Sequence, residues 1–332
     1  MNLTELHDSG LARVVKIIDA NPTYDEILAH RVSSSNWIIF HEQVPIEEKI
    51  EAAYEILSKR LNKNSFKAII PNYSGFACDG STKNNLREFN FFEDICEPLG
   101  IKIRKSNYAN CEKISIRSLD SCAKDLQQLL ISSVMDFYHT RKNISASLVR
   151  QQILYTEAFF SYWLAFRRKG AVIPGILVQA NDHSPVRVAL SMILKSFGVP
   201  RIYLQHAEIT ANFPNLDFEI SVLRNSRSLD IYRTIGEVKG KAFVISREPT
   251  IINEKLLFKK REGNVSVVVY PTSKVLIDEL VDVLEKLRKN PLVSDIFIKQ
   301  HPAADKISQD LLDRNKVMLL NATPNFDHIA VV

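Results

Sequence analysis

The sequence predicts an α/β protein of two domains, each built on a parallel sheet with helices on its faces. Three observations predict it. From residue 173 onward, short apolar runs alternate with helical stretches in a βαβ rhythm. A charged stretch without a core pattern, REPTIINEKLLFKKRE at 247–262, interrupts that rhythm, and a fresh strand–helix–strand unit starts after it. The 332 residues suffice for two domains, and 45% apolar content is in the globular range.

Residues 1–65 alternate short helical and strand-like pieces, with Trp37 to Phe40 as a buried strand. Pro45 opens a helix, PIEEKIEAAYEILSKRL, acidic in its first turn and basic in its last, as the helix dipole favours. Phe66 to Ile70 reads as a strand. Residues 72–84, NYSGFACDGSTKN, carry two of the ten glycines and read as a loop, either lining a site beyond a strand end or lying on the surface. Residues 113–169 read as mostly helical. Leu129, Ile131, Val134 and Phe137 keep helical spacing, and so do Leu148, Ile153, Phe160 and Leu164. Ile153 to Phe166 is the most apolar long segment. It has 14 residues and includes Glu157, whereas a bilayer span needs about 20 apolar residues. It reads as a buried helix, with an interfacial helix as the alternative.

The alternation then runs strand 173–179, helix 184–197, strand 201–205, strand 218–223, helix 228–235 and strand 242–245. These close a first domain, 1–246, followed by a linker, 247–263. The second domain, 264–332, reads as strand 265–270, helix 273–289, strand 295–299, helix 307–312, strand 317–320 and a last apolar strand, 328–332. A bare central-type strand at the terminus leaves its sheet partners missing, so the expectation is a chain truncated within its second domain.

Charge excludes some classes. Charged residues make up 24% of the chain, finely mixed, with a net +5, and no basic stripe of a nucleic-acid binder stands out. The runs Arg167-Arg168-Lys169 and Lys259-Lys260-Arg261 read as solvated charges, or as peripheral contacts with an anionic inner-membrane surface. Cys78, Cys96, Cys111 and Cys122 are spaced by 18, 15 and 11 residues, which fits neither a zinc site nor a disulfide framework. They read as buried or idle thiols. The start, MNLTELHDSG, lacks the basic and apolar regions of a signal peptide. The expected compartment is the cytoplasm.

Five constellations could carry chemistry. Asn181-Asp182-His183-Ser184-Pro185 sits where a strand ends and a helix opens, the place where open α/β sheets bind ligands. Capping by Asp182 or Ser184 accounts for part of it but not for His183 beside Asp182. Gln205-His206-Ala207-Glu208 also follows a strand. In extended chain His206 and Glu208 share a face, and either could take a proton from a hydroxyl. Lys299-Gln300-His301-Pro302 places a histidine at a third strand end, held extended by the proline. Pro271-Thr272-Ser273-Lys274 opens a long helix whose first N–H groups could take a phosphate, or which is merely capped there. Arg224 and Arg227 flank Asn225-Ser226 and could grip an anion or form a surface ion pair.

Three segments in this order, GVPRIYLQHAEIT, NLDFEISVLRNSRSLDIYR and IFIKQHP, resemble bacterial capsule and lipopolysaccharide glycosyltransferases of the GT-B type. The likeness is greatest to Kdo- and sialic-acid-transferring enzymes with a His-Pro motif, and covers roughly residues 172–332. It implies two Rossmann-like domains facing a cleft. His206, Glu208 and Asp182 would be catalytic. His301, Pro302, Thr272, Ser273 and Lys274 would lie at the donor, and His183, Gln205, Arg224 and Asn225 on the acceptor side. It further implies a CMP- or UDP-sugar donor, a polysaccharide or lipid-linked acceptor, and no cofactor or bound metal. Two departures stand out: Ala207 replaces a frequent glycine, and the family's serine- or threonine-containing phosphate loop would lie beyond Val332. The chain as given is therefore expected to transfer weakly or not at all. A CDP-glycerol-type polyol-phosphate transferase and a non-catalytic polysaccharide- or partner-binding module are the alternatives.

Overall fold

The alternation forms two parallel sheets, one in each of two compact units, Met1–Pro249 and Thr250–Val332. The computed structural model describes residues 2–20, 43–69, 76–78, 83–100, 111–115, 120–245, 265–271, 277–300, 306–320 and 329–331. The strand expected at 37–40, the start of the helix expected from 273, and the run 259–261 lie outside these residues.

The sheet of the first unit contains β2 (Phe76–Cys78), β4 (Ile176–Gln179), β5 (Arg201–Leu204), β6 (Asp217–Leu223) and β7 (Lys239–Val244), side by side in that order and all parallel. Its central strands are buried on both faces, as a parallel sheet requires. Strand alternation sends Val178, Ile202 and Leu204 to one side, against Phe89 and Cys96 of α3 (Lys83–Cys96). Tyr203 points the other way, onto Leu216, Phe218 and Tyr232, the last of these on α7 (Ser226–Ile235).

The largest core lies beside the sheet. It is formed by α1 (Leu3–Ala20), α2 (Ile46–Leu61), α4 (Ser121–His139), α5 (Ala146–Arg167) and α6 (Pro185–Ser196). Helix α5 is buried on nearly every side, from Leu148 to Phe166, which explains its apolar sequence without a membrane. No helix of the described residues is long and apolar enough to cross one. An antiparallel pair, β1 (Ser65–Ile69) with β3 (Cys111–Ser115), lays Phe66 against Phe160 of α5.

Several expectations are corrected here. The stretch 72–84 is not all loop, because Phe76–Cys78 pairs in parallel with Ile176–Val178 as the sheet's edge. The region from 113 begins in β3, and helix starts only at Ser121, capped by Asp120. Leu129 faces solvent: the buried stripe of α4 runs through Leu126, Leu130, Val134 and Tyr138. The N-terminal segment opens with one 18-residue helix rather than short pieces. Cys122 is exposed, whereas Cys96 is buried.

In the second unit, β8 (Val265–Val269), β9 (Val293–Ile298), β10 (Met318–Leu319) and β11 (Ile329–Val331) form a parallel sheet in the order β10-β9-β8-β11. Helix α8 (Ile277–Lys289) packs Leu280 and Leu284 onto Val267, Val269, Ile296 and Ile298, and α9 (Gln309–Arg314) adds Leu312. The strand order reverses between β8 and β11. Such a reversal is a topological switch point, and the parallel order is compatible with a Rossmann-like sheet.

Candidate functional site

Three neighbouring strands of the first unit end in polar residues, and two of those ends meet in a pair of histidines. After β4 the chain turns through Asn181, whose side-chain oxygen accepts from the backbone N–H groups of His183 (3.1 Å) and Ser184 (2.8 Å). Asn181 therefore ties down the start of α6. Ser184 is the N-cap residue but makes no side-chain cap bond, and Asp182 does not cap either. This frees the Asp182 carboxylate for another partner. Its Oδ1 lies 3.0 Å from His183 Nδ1, its side chain is fully buried, and among the described residues no partner lies at hydrogen-bonding distance from Oδ2. Burial alone would raise the Asp182 carboxyl. The hydrogen bond and charge of His183, followed by the Arg13 guanidinium, outweigh it and hold the carboxyl below its usual range.

The His183 ring is fixed on two sides. It stacks on His206 with centroids 5.8 Å apart, and meets the edge of Phe213 at 5.6 Å. Its side chain keeps 28% exposure. An ionised carboxylate at Nδ1 selects the tautomer with the proton there, so a neutral His183 offers its lone pair at Nε2. His206 follows β5. Burial first, and the His183 ring beside it second, push its pKa down, so it is neutral at pH 7. The ring bonds to the Ala180 backbone, and among the described residues its Nδ1 is buried without a partner.

The structure brings together Asp182, His183 and His206, but gives other expected site residues different tasks. A bend at Ala207 breaks the extended geometry that would put His206 and Glu208 on one face, and Glu208 is exposed. Gln205 is a buried brace. Its amide nitrogen donates to the Ala207 carbonyl and Ser228 Oγ, both at 2.9 Å, and its oxygen accepts from the Arg224 backbone N–H at 2.9 Å. Asn225 caps α7, accepting from Ser228 N at 2.7 Å. The Arg224 guanidinium pairs with the buried Glu88 of α3, and Arg227 is exposed. His301, Pro302, Thr272, Ser273 and Lys274 lie outside the described residues. Among the described residues, no three His, Cys, Asp or Glu side chains are grouped to hold a metal ion.

Sequence reasoning missed Arg13, Glu88, Phe213 and the Tyr203–Tyr232 pair. Arg13 of α1 is buried. Its Nη1 donates to the Asn215 carbonyl at 2.8 Å, and its charge bears on Asp182. A signal for it existed: Arg13 continues the spacing of the buried Leu6 and Gly10, so an arginine falls on the apolar stripe. Tyr232 donates to the Tyr203 hydroxyl, 3.3 Å away, in the core beside the sheet.

No family model, curated protein or solved structure matches the chain.

Proposed function

We propose that the chain is a glycosyltransferase of GT-B type, moving a sugar from a CMP- or UDP-activated donor to a surface polysaccharide or lipid-linked acceptor. The observation that carries the reading is the Asp182–His183 pair at the carboxyl end of β4. A buried, ionised carboxylate at Nδ1 orients a partly exposed imidazole and leaves the lone pair of its second nitrogen to act as the base. The base is then His183 rather than His206 or Glu208, with His206 as the neutral ring stacked behind it. In the reaction, His183 Nε2 takes the proton of the acceptor hydroxyl. That oxygen bonds to the anomeric carbon, and the carbon–oxygen bond to the donor phosphate breaks, leaving the electron pair on the nucleotide.

The second unit supports the donor role. Its strand order reverses between β8 and β11, and such a reversal is where open α/β sheets commonly hold nucleotides. By the resemblance, the donor phosphates lie near Thr272, Ser273, Lys274, His301 and Pro302.

The test is nucleotide release from CMP- and UDP-sugars, with CDP-glycerol as a parallel arm, by wild type, His183→Gln and Asp182→Asn. Loss of a positioned base should slow release by about 10²–10⁴-fold. Turnover of CDP-glycerol alone would favour polyol-phosphate transfer. A His183→Gln variant that releases nucleotide at the wild-type rate would overturn the assignment.

A further inference from the structure

We infer that the groove between β1 and α5 binds a small anionic ligand, a sugar-sized molecule carrying a phosphate or a carboxylate. The groove encloses about 470 Å³, within the range of about 300–1,000 Å³ typical of small-molecule sites. Arg60 from the end of α2, Lys63 just beyond it and Lys67 on β1 line it, facing a single carboxylate, Glu157 of α5. Lys63 Nζ sits 2.5 Å from Glu157 Oε1, and Arg60 Nη1 3.8 Å from Oε2. One acid against three bases leaves a net charge of +2 on the groove wall. Leu154, Ala158 and Val186 supply an apolar wall, which suits the carbon face of a sugar ring.

A second observation points the same way. Among the described residues Lys67 has no carboxylate partner. In the antiparallel pair it stands directly opposite Lys113. The groove also approaches the histidine pair: Val186 lies in the first turn of α6, three residues after His183. Anion binding itself does not depend on the transferase reading and is measured without turnover.

The experiment is isothermal titration of the full chain with glucose 1-phosphate, glucuronate and, as a neutral control, glucose. At least one anion should bind with Kd of roughly 1 mM or tighter, and binding should weaken as salt is added. The preferred anion distinguishes phosphate from carboxylate. Lys67→Met should weaken binding about fivefold or more while leaving the thermal midpoint unchanged, because the Lys67 side chain is exposed. Glu157→Gln should tighten it. If neither anion binds, if glucose binds as well as the anions, or if Lys67→Met leaves the affinity unchanged in a folded protein, the inference fails.

Discussion

Replacing Gly10 with alanine tests how α1 is seated. In an exposed helix this change would stabilise by about 1 kcal/mol through helix propensity. At Gly10 it should do the opposite. A Cβ there would overlap the Tyr155 hydroxyl, lying 2.7 Å from Tyr155 Cζ and 2.9 Å from Met192 Cγ. Tyr155 is fully buried, and its hydroxyl donates to the His7 carbonyl at 3.0 Å. Pushing the ring away strands that hydroxyl, at about 1–3 kcal/mol. Overpacking the three-helix contact adds about 1–3 kcal/mol. Net of the propensity gain, the loss is about 3 kcal/mol, or roughly 6–12 °C in the thermal midpoint for a unit of this size. Differential scanning calorimetry reads it, with Gly10→Ala/Tyr155→Phe as the companion variant. Removing the clashing oxygen should restore part of the loss. A Gly10→Ala midpoint at or above wild type would refute the close-packed crossing of α1, α5 and α6.

Two further perturbations follow from the same packing. His7 is fully buried, with Nε2 3.1 Å from Thr156 Oγ1 and Nδ1 3.0 Å from Asp8, and burial lowers its pKa; His206 is lowered likewise. The unfolded chain regains the ordinary value of 6.5, so below that pH it takes up protons that the native state refuses. Stability should be flat above pH 6.5 and fall by up to about 1.4 kcal/mol per pH unit per histidine beneath it. Urea melts between pH 5 and 7.5 should show a shallower acid slope for His7→Gln; an identical slope would remove His7 from the account. Gly240→Ala should also destabilise. Gly240 has φ +68°, and a Cβ there would collide with the Phe218 and Glu219 carbonyls, beside the register shift between β6 and β7. A cost of roughly 1–3 kcal/mol is expected, and an unchanged midpoint would count against the tight approach of these strands.

Much of the secondary structure was legible because the signals were local. Parallel strands buried on both faces read as continuous apolar runs, so β4, β5, β6, β8 and β9 fall within two or three residues of expectation. Strand β2 escaped because three residues, Phe76-Ala77-Cys78, make no pattern and gain their strand geometry from pairing with β4. The antiparallel pairing of β1 with β3 is a contact between distant segments, which no periodicity encodes. The site was half legible. His183 and His206 stand out as titratable residues directly after apolar strands. Whether a polar side chain works for a ligand or for the fold depends on its neighbours. Gln205 and Asn225 look like site residues in sequence, yet they are consumed by Ser228 and by the backbone around Arg224.

The connection from β5 to β6 gives the site its dependence on α1. Both strands are parallel and adjacent, so the chain must return from one end of the sheet to the other. In the neighbouring connections, β4 to β5 and β6 to β7, a helix makes that crossing, but residues 205–216 contain none. They form a strap, pinned to the sheet by Ile209 and Leu216 in the core with Tyr203 and Phe218. The strap carries His206 and Phe213, the two rings that hold His183 in place. Its far end is gripped by Arg13 through the Asn215 carbonyl and Oδ1, at 2.8 and 3.3 Å. Arg13 is thus a positioning residue: it holds the strap and also lowers the Asp182 carboxyl by charge. Arg13→Met keeps the apolar stem and removes both effects. Exchange of the backbone amides at 206–213 should quicken, and the His183 ring resonances should broaden, even in the absence of any substrate. The Arg13→Lys variant keeps the charge but replaces the planar guanidinium, whose Nη1 makes both bonds to Asn215, with a compact ammonium on a different stem. It should retain the low Asp182 pKa while still loosening the strap. If both variants leave exchange across 206–213 as slow as in wild type, the rings are held by the sheet alone and Arg13 has no part in the site.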